Sequence, residues 1–261
     1  MMWTDLKELY RFRDLLMSLA IRDIKVRYRQ TLLGVAWALL QPLAFMAIFT
    51  LVFAKFGKVS SDGTPYPVFS YAGLLPWIFF ATALTLSGTS IMNHMSMVKK
   101  MYFPREVFPL SITLACFVDF LVAAALFVGL AFLFHVPVTW HWVWLLWPIA
   151  IEVMLIIGLG LLTSATNVFF RDIKYIVPVA IQLGMFVCPV IYSVTAIPEH
   201  LRPWYLLNPM AVVIDSFRHV TLHNHFPDMG HLWLGTGIAA VGLVLSYIFF
   251  KHIEGQFADV I

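Results

Sequence analysis

The chain has 261 residues, of which 61% are hydrophobic and only 12% charged, with a formal net charge of +3 and a mean hydropathy of +0.85. A soluble domain carries about 25% charged residues, so this composition excludes an ordinary water-soluble fold and points to a single transmembrane unit over residues 1–261. The basic residues gather at the borders of apolar segments, which argues against nucleic-acid binding, and Cys116 and Cys188 fall inside apolar segments and read as ordinary buried thiols.

Residues 1–30 form an amphipathic pattern. Leu6, Leu9, Phe12, Leu16 and Leu19 recur at helical spacing, opposed by a polar stripe of Arg11, Asp14, Ser18, Arg22, Lys25 and Arg29. Such a helix lies on a membrane surface as an anchor, or also touches a cytoplasmic partner; periodicity alone favours the anchor. About thirty amphipathic residues before the first long apolar run argue against a cleavable signal peptide.

Six apolar spans follow, roughly Leu32–Phe53, Tyr71–Met92, Leu110–Phe134, Trp142–Phe169, Ile176–Tyr192 and Leu232–Phe250. The expected fold is therefore all-α and integral to the membrane, with six transmembrane helices. Thirteen Lys and Arg residues border the spans on the side of the termini: Lys7, Arg11, Arg13, Arg22, Lys25, Arg27, Arg29, Lys99, Lys100, Arg105, Arg171, Lys174 and Lys251. Four lie opposite: Lys55, Lys58, Arg202 and Arg218. The imbalance places both termini in the cytoplasm.

The loop at 93–108 is too long for a tight turn. It mixes Lys99, Lys100, Arg105 and Glu106 with Met95, Met97, Met101, Tyr102 and Phe103, which a solvated loop does not need. Methionine and aromatic side chains suit a protein groove; a basic loop lying on anionic lipid is the alternative. Farther along, Asp119 and Glu152 fall near mid-membrane at 1.5 Å per residue. Such acids carry protons or fix helix packing. Between the fifth and sixth spans, residues 193–230 are broken by Ile197-Pro198 and Asn208-Pro209. They read as short helices dipping into the outer leaflet, or as an external cap.

Two helical faces combine aromatics with one amide: Gly34, Trp37, Gln41, Phe45 and Ile48 on the first span, and Tyr175, Val179, Gln182, Phe186 and Pro189 on the fifth, with Tyr192 at its exit. Aromatic rings stack on sugar C–H surfaces and amides bond hydroxyls; helix–helix packing explains the same pattern. Arg-Asp-Ile-Lys occurs twice, at 22–25 and 171–174, each time at the entrance of a span. No phosphate-binding loop is present: Gly57-Lys58 is followed by Val59 and lacks the upstream glycine. His219, His223 and His225 lack a matching carboxylate or thiol cluster, so interfacial histidines explain them better than a metal site.

Several stretches together resemble the permease subunit of type-2 ABC exporters of polysaccharides. They are Arg22-Asp-Ile-Lys-Val-Arg-Tyr28 with Leu33-Gly-Val-Ala-Trp-Ala-Leu-Leu-Gln-Pro42, the loop Lys99-Lys-Met-Tyr-Phe-Pro-Arg-Glu-Val-Phe-Pro-Leu-Ser111, Phe170-Arg-Asp-Ile173, Pro189-Val-Ile-Tyr192 and Leu207-Asn-Pro-Met210. The likeness is colinear over nearly the whole chain and nearest to O-antigen exporters, with capsule and teichoic-acid exporters sharing much of it. It implies a homodimer, a cytoplasmic ATP-binding subunit that holds ATP and Mg, no cofactor in this chain, an inner-membrane location and a lipid-linked polysaccharide as cargo among membrane lipids. It implies a coupling helix in 93–108, with Met97, Lys99, Lys100, Met101, Tyr102, Phe103, Arg105 and Glu106 as contact candidates. It implies a conduit along the first and fifth spans, lined by Trp37, Gln41, Phe45, Gln182, Phe186 and Tyr192. The basic residues Arg22, Lys25, Arg27, Arg29, Arg171 and Lys174 then stand at the cytoplasmic entrance. A proton-coupled transporter using Asp119 and Glu152 is the rival; a membrane glycosyltransferase lacks the surface acids needed to hold a metal–nucleotide sugar.

Overall fold

The computed structural model describes residues 2–29, 34, 36–57, 59–100 and 103–257, with the backbone alone at 2–6 and 100. Leu6 as a side chain, Leu32, Leu33, Val35, Lys58, Met101, Tyr102 and the Lys100 side chain therefore lie outside the described residues. Among the described residues the structure is helical, without strands.

Helices α1 (Met2–Arg11) and α2 (Arg13–Tyr28) make up the N-terminal segment. Gly34, at φ +53°, supplies the left-handed turn that swings the chain into α3 (Ala36–Phe49). A π-helical stretch, Thr50–Phe56, prolongs α3. Then come α4 (Tyr66–Asn93), the short α5 (Met95–Lys100), α6 (Val107–Leu133) and α7 (Leu146–Phe169), the last preceded by a 3-10 run at Trp140–Leu145. They are followed by α8 (Ile173–Val187), the single turn α9 (Arg202–Tyr205), α10 (Pro209–Thr221) and α11 (Met229–Ile253).

Helix α4 is the axis of the bundle. It packs against α3, α6, α7, α8 and α10 and is mostly buried, whereas the stretch Ala36–Phe56 is largely exposed. Tyr71 donates to the Ala123 carbonyl at 3.1 Å while its ring stacks on Phe127 at 5.7 Å, fixing α4 against α6. Small residues set the spacing elsewhere. A Cβ at Gly160 of α7 would stand 3.0 Å from Ser87 Cβ, and one at Gly158 would stand 3.1 Å from the Leu243 backbone of α11. Helices inside a membrane associate through such close backbone approach because burial from water cannot drive them.

The bundle has two apolar cores. The larger fills the middle around α4. The smaller gathers Leu19, Ile91, Val98, Phe103, Phe108, Phe250 and Phe257 at the end where α2, α5 and the C-terminal turn of α11 meet, called the near end below; α9 and α10 mark the far end.

Five helical stretches are long and apolar enough to cross a membrane: Ala36–Phe56, Tyr66–Asn93, Val107–Leu133, Trp140–Phe169 and Met229–Gln256. They match five of the six expected spans. The sixth, expected over 176–192, differs. Helix α8 has 15 residues, about 22 Å at 1.5 Å per residue, short of the roughly 30 Å hydrocarbon layer. At Cys188 the backbone turns to an extended conformation, and residues 188–191 continue as buried irregular chain.

Candidate substrate pathway and coupling region

The conduit residues expected on α3 line a real depression. A cavity of about 330 Å³ opens between α2, α3, α4 and α6. Trp37 and Gln41 form one wall, Ile78 and Phe79 another, and Arg27, Tyr28 and Asp119 the polar floor. The structure thus brings together an expected entrance residue, Arg27, and two expected conduit residues. Phe45 continues the line along a shallower groove of about 280 Å³ shared with Trp37 and Gln41. Trp37 keeps 50% of its surface exposed.

Asp119 is not a bare acid. The guanidinium of Arg27 pairs with one of its oxygens, the Tyr28 hydroxyl donates to the other, and Arg27 also reaches Cys116 Sγ at 3.6 Å. Burial, then the bond to Asp119, pushes the Tyr28 phenol well above its ordinary pKa and keeps it a donor. Sequence depth alone left Asp119 without a visible partner; the partner comes from α2, which leans on α6. Glu152 is wholly buried on α7, and no side-chain donor meets its carboxylate among the described residues.

The second expected face, on α8, is more open still. No residue of α8 is buried; Tyr175, Val179 and Gln182 are exposed, as is Phe186 with 61% of its surface. The helix rests on α4 where Gly184 makes room for Trp77, whose ring a Cβ there would approach to 3.2 Å. Tyr192 is turned back onto the structure: its hydroxyl donates to the Phe186 carbonyl at 3.0 Å and lies 3.1 Å from the Tyr205 hydroxyl. The entrance candidates divide. Lys25, Arg29, Arg171 and Lys174 are exposed, whereas Arg22 donates to His94 and to Asp23 at 3.0 Å.

The 93–108 loop also divides. Met97 is half-buried and Lys99 exposed. Phe103 and Glu106, expected on an outward contact surface, are directed inward. Phe103 meets Phe108 edge-on at 5.3 Å. Glu106 is 1% exposed and takes Lys251 Nζ at 2.9 Å, while Arg105 donates to the Glu254 carbonyl. The chain turns at Pro104 into the near-end core, where the Phe103 ring joins Phe108, Phe250 and Phe257 and Lys251 of α11 supplies the partner that a buried carboxylate requires.

At the far end one residue was not singled out by the sequence. Arg218 of α10 is buried without an ion-pair partner among the described residues. It donates to the carbonyls of Phe69 (3.3 Å), Pro189 (2.5 Å), Val190 (2.7 Å) and Tyr192 (2.8 Å), and its guanidinium lies 3.7 Å from the centroid of the Phe69 ring. These include the carbonyls freed where α8 stops. Irregular backbone in an apolar layer survives only if protein groups satisfy it, and five N–H donors in one fork do so. The available signal was a lone arginine in the apolar run 209–221. Around it, Asp62 accepts from Ser193 and from Thr195 at 2.9 Å. Burial, with His219 nearby, lowers the pKa of His223. Among the described residues no group of three or more His, Cys, Asp or Glu is gathered as a metal site.

An aromatic-lined bundle of long apolar helices with an inward-anchored loop suits a membrane transport subunit. The profile of the ABC-2 type transporter family matches residues 14–222, and the chain belongs to that family. It is 32% identical over 258 residues, 97% of both chains, to the O-antigen export system permease protein RfbA of Myxococcus xanthus. It is likewise 32% identical to a protein of that name from Klebsiella pneumoniae, covering 95% of each. Identity to the polysialic acid transport protein KpsM of Escherichia coli is 21%, over 81% of this chain and 82% of that one.

Proposed function

We propose that this chain is the membrane half of an ATP-driven exporter that carries a lipid-linked polysaccharide, O-antigen, across the inner membrane. Two copies assemble with two cytoplasmic ATP-binding subunits, which hold ATP and Mg. Both termini face the cytoplasm, so the near end is cytoplasmic and the far end external, and α8 with residues 188–192 completes a sixth crossing. Residues 1–30 form the interface helix, 93–108 the coupling element and 193–230 the external gate.

The observation that carries this reading is the pair of aromatic-and-amide faces left open on α3 and α8 against the same α4. Trp37 and Phe186 remain half or more exposed, open to a second copy, in a chain similar over nearly its whole length to O-antigen export permeases. One copy leaves the faces open, and a second copy closes them into a conduit for a long glycan. Asp119, held by Arg27 and Tyr28, has the bonding of a packing residue rather than of a proton carrier.

The test is single alanine substitution of Trp37, Phe45 and Phe186 in cells lacking the chromosomal copy. Export should fall several-fold while the protein still accumulates and still retains its ATP-binding partner. Cells without the protein should accumulate lipid-linked glycan inside. Export losses that track losses of folded protein would instead make these rings packing residues, because truncating a packed aromatic costs about 3–5 kcal/mol.

A further inference from the structure

Helix α11 reaches from the near-end loop to the far-end gate. At its near end, α11 is bound into the 93–108 loop from two sides. Lys251 Nζ lies 2.9 Å from Glu106 and 3.0 Å from Glu254, and Arg105 donates to the Glu254 carbonyl. Phe257, one turn farther on, packs edge-on to Phe250 at 5.6 Å with the Arg105 guanidinium 5.5 Å from its ring centroid. The pair is shielded from water, with the Glu106 side chain 2% exposed and that of Lys251 15%, so its attraction is little screened.

At its far end, α11 carries α10. Asp228 caps its first turn through Gly230 N at 2.8 Å and His231 N at 3.3 Å. Leu232 is fully buried, and a Cβ on Gly235 would stand 3.6 Å from Val212 of α10. Arg218 of α10 then holds the carbonyls of residues 189, 190 and 192. Between these ends α11 runs 25 residues without a proline, about 37 Å, whereas α3, α4 and α8 each contain one inside the helix. Along its side it rests on α7 over most of its length, with the Leu243 backbone against Gly158, Trp147 Nε1 donating to Thr236 at 2.9 Å and the Trp147 ring edge-on to Trp233 at 4.8 Å.

We propose that α11 is the rod that carries movement of the 93–108 loop to the far-end gate, with Lys251 and Glu106 as its positioning residues. The proposal rests on the reading of that loop as the ATPase-coupling element. Helix α4 also spans the molecule from loop to gate, but it is wedged among five helices and cannot shift without disturbing both faces of the conduit. Helix α11 has α7 along one side and α10 at one end, so it tilts together with α7 and takes Arg218, and with it Tyr192, along.

The test uses the full complex with its ATP-binding partner in lipid nanodiscs. Ala196→Cys, exposed at the far end, reports its labelling rate with a membrane-impermeant maleimide in ATP against ADP; native Cys116 and Cys188 are buried. The parent complex should show an ATP-dependent rate. In Glu106→Gln with Lys251→Met and Glu254→Gln, which removes the pair without stranding the second carboxylate that Lys251 holds, that dependence should shrink at least fivefold while the partner stays bound and still hydrolyses ATP. The reversal Glu106→Lys with Lys251→Glu should restore it. An undiminished ATP response in the neutral pair overturns the rod, as does an unresponsive position 196 in a parent complex that exports glycan. A parent chain that neither holds the ATPase nor exports glycan overturns the functional reading instead.

Discussion

The tetrapeptide Arg-Asp-Ile-Lys serves two opposite purposes in this molecule. At 22–25 its first two charges are engaged by the protein while Lys25 stays exposed: Arg22 donates to His94 where α4 meets α5, and the Asp23 side chain that shares Arg22 is 13% exposed. Two and three residues later, Arg27 and Tyr28 close on Asp119. At 171–174, Arg171, Asp172 and Lys174 are all exposed, and Lys174 lies 4.8 Å from the ring of neighbouring Tyr175. The residues in the places of Arg27 and Tyr28 are Ile176 and Val177, which have nothing to offer a buried acid. One copy fastens α2 to the bundle; the other leaves its charges at the foot of the open face of α8. A short motif therefore does not carry its role with it, because the neighbouring elements decide which of its charges are consumed.

That contrast can be broken in order of expected effect. Asp119→Ala strips Arg27 and Tyr28 of their acceptor. With both members of the pair about a quarter exposed or less, it should cost about 2–3 kcal/mol, below the figure for a fully buried pair, seen as a lower thermal midpoint in detergent. Arg22→Ala should cost about 1 kcal/mol through its lost hydrogen bonds, measured the same way. The double change Arg171→Ala with Lys174→Ala should leave the midpoint within about 0.5 kcal/mol of the parent. If the exposed cations at the start of α8 serve the proposed conduit, export should nevertheless fall several-fold. Asp172→Asn, beside the start of α8, should cost a few tenths of a kcal/mol as the helix loses a favourable charge at its N-terminus. If the second copy proves as costly to stability as the first, the division of labour fails.

Hydropathy and charge made most of the helices legible, because a long apolar run bounded by basic residues has few other solutions. The open faces of α3 and α8 were legible as periodic mixtures of rings and amides. What escaped was everything that depends on meetings between distant segments. Apolar residues run on to Tyr192, yet the helix stops at Val187, and hydropathy cannot see a helix end when the irregular chain beyond it is equally apolar. The inward turn of Phe103 and Glu106 depends on Lys251 and Phe257, which lie far along the sequence. A loop aromatic looks alike whether it faces a partner or its own chain. Asp119 showed its depth but not its partner, because periodicity does not reveal which span the N-terminal helix leans on.

The carbonyl cage around Arg218 bears on how the chain is made. Its acceptors at 189, 190 and 192 precede their donor by 29, 28 and 26 residues, so during synthesis they leave the ribosome first. Until Arg218 emerges, that backbone has water as its alternative partner and has no reason to settle into hydrocarbon. The end of α8 is therefore completed late, when α10 folds over it. A chain cut off before residue 218 should hold its first four long helices and leave the fifth segment unsettled.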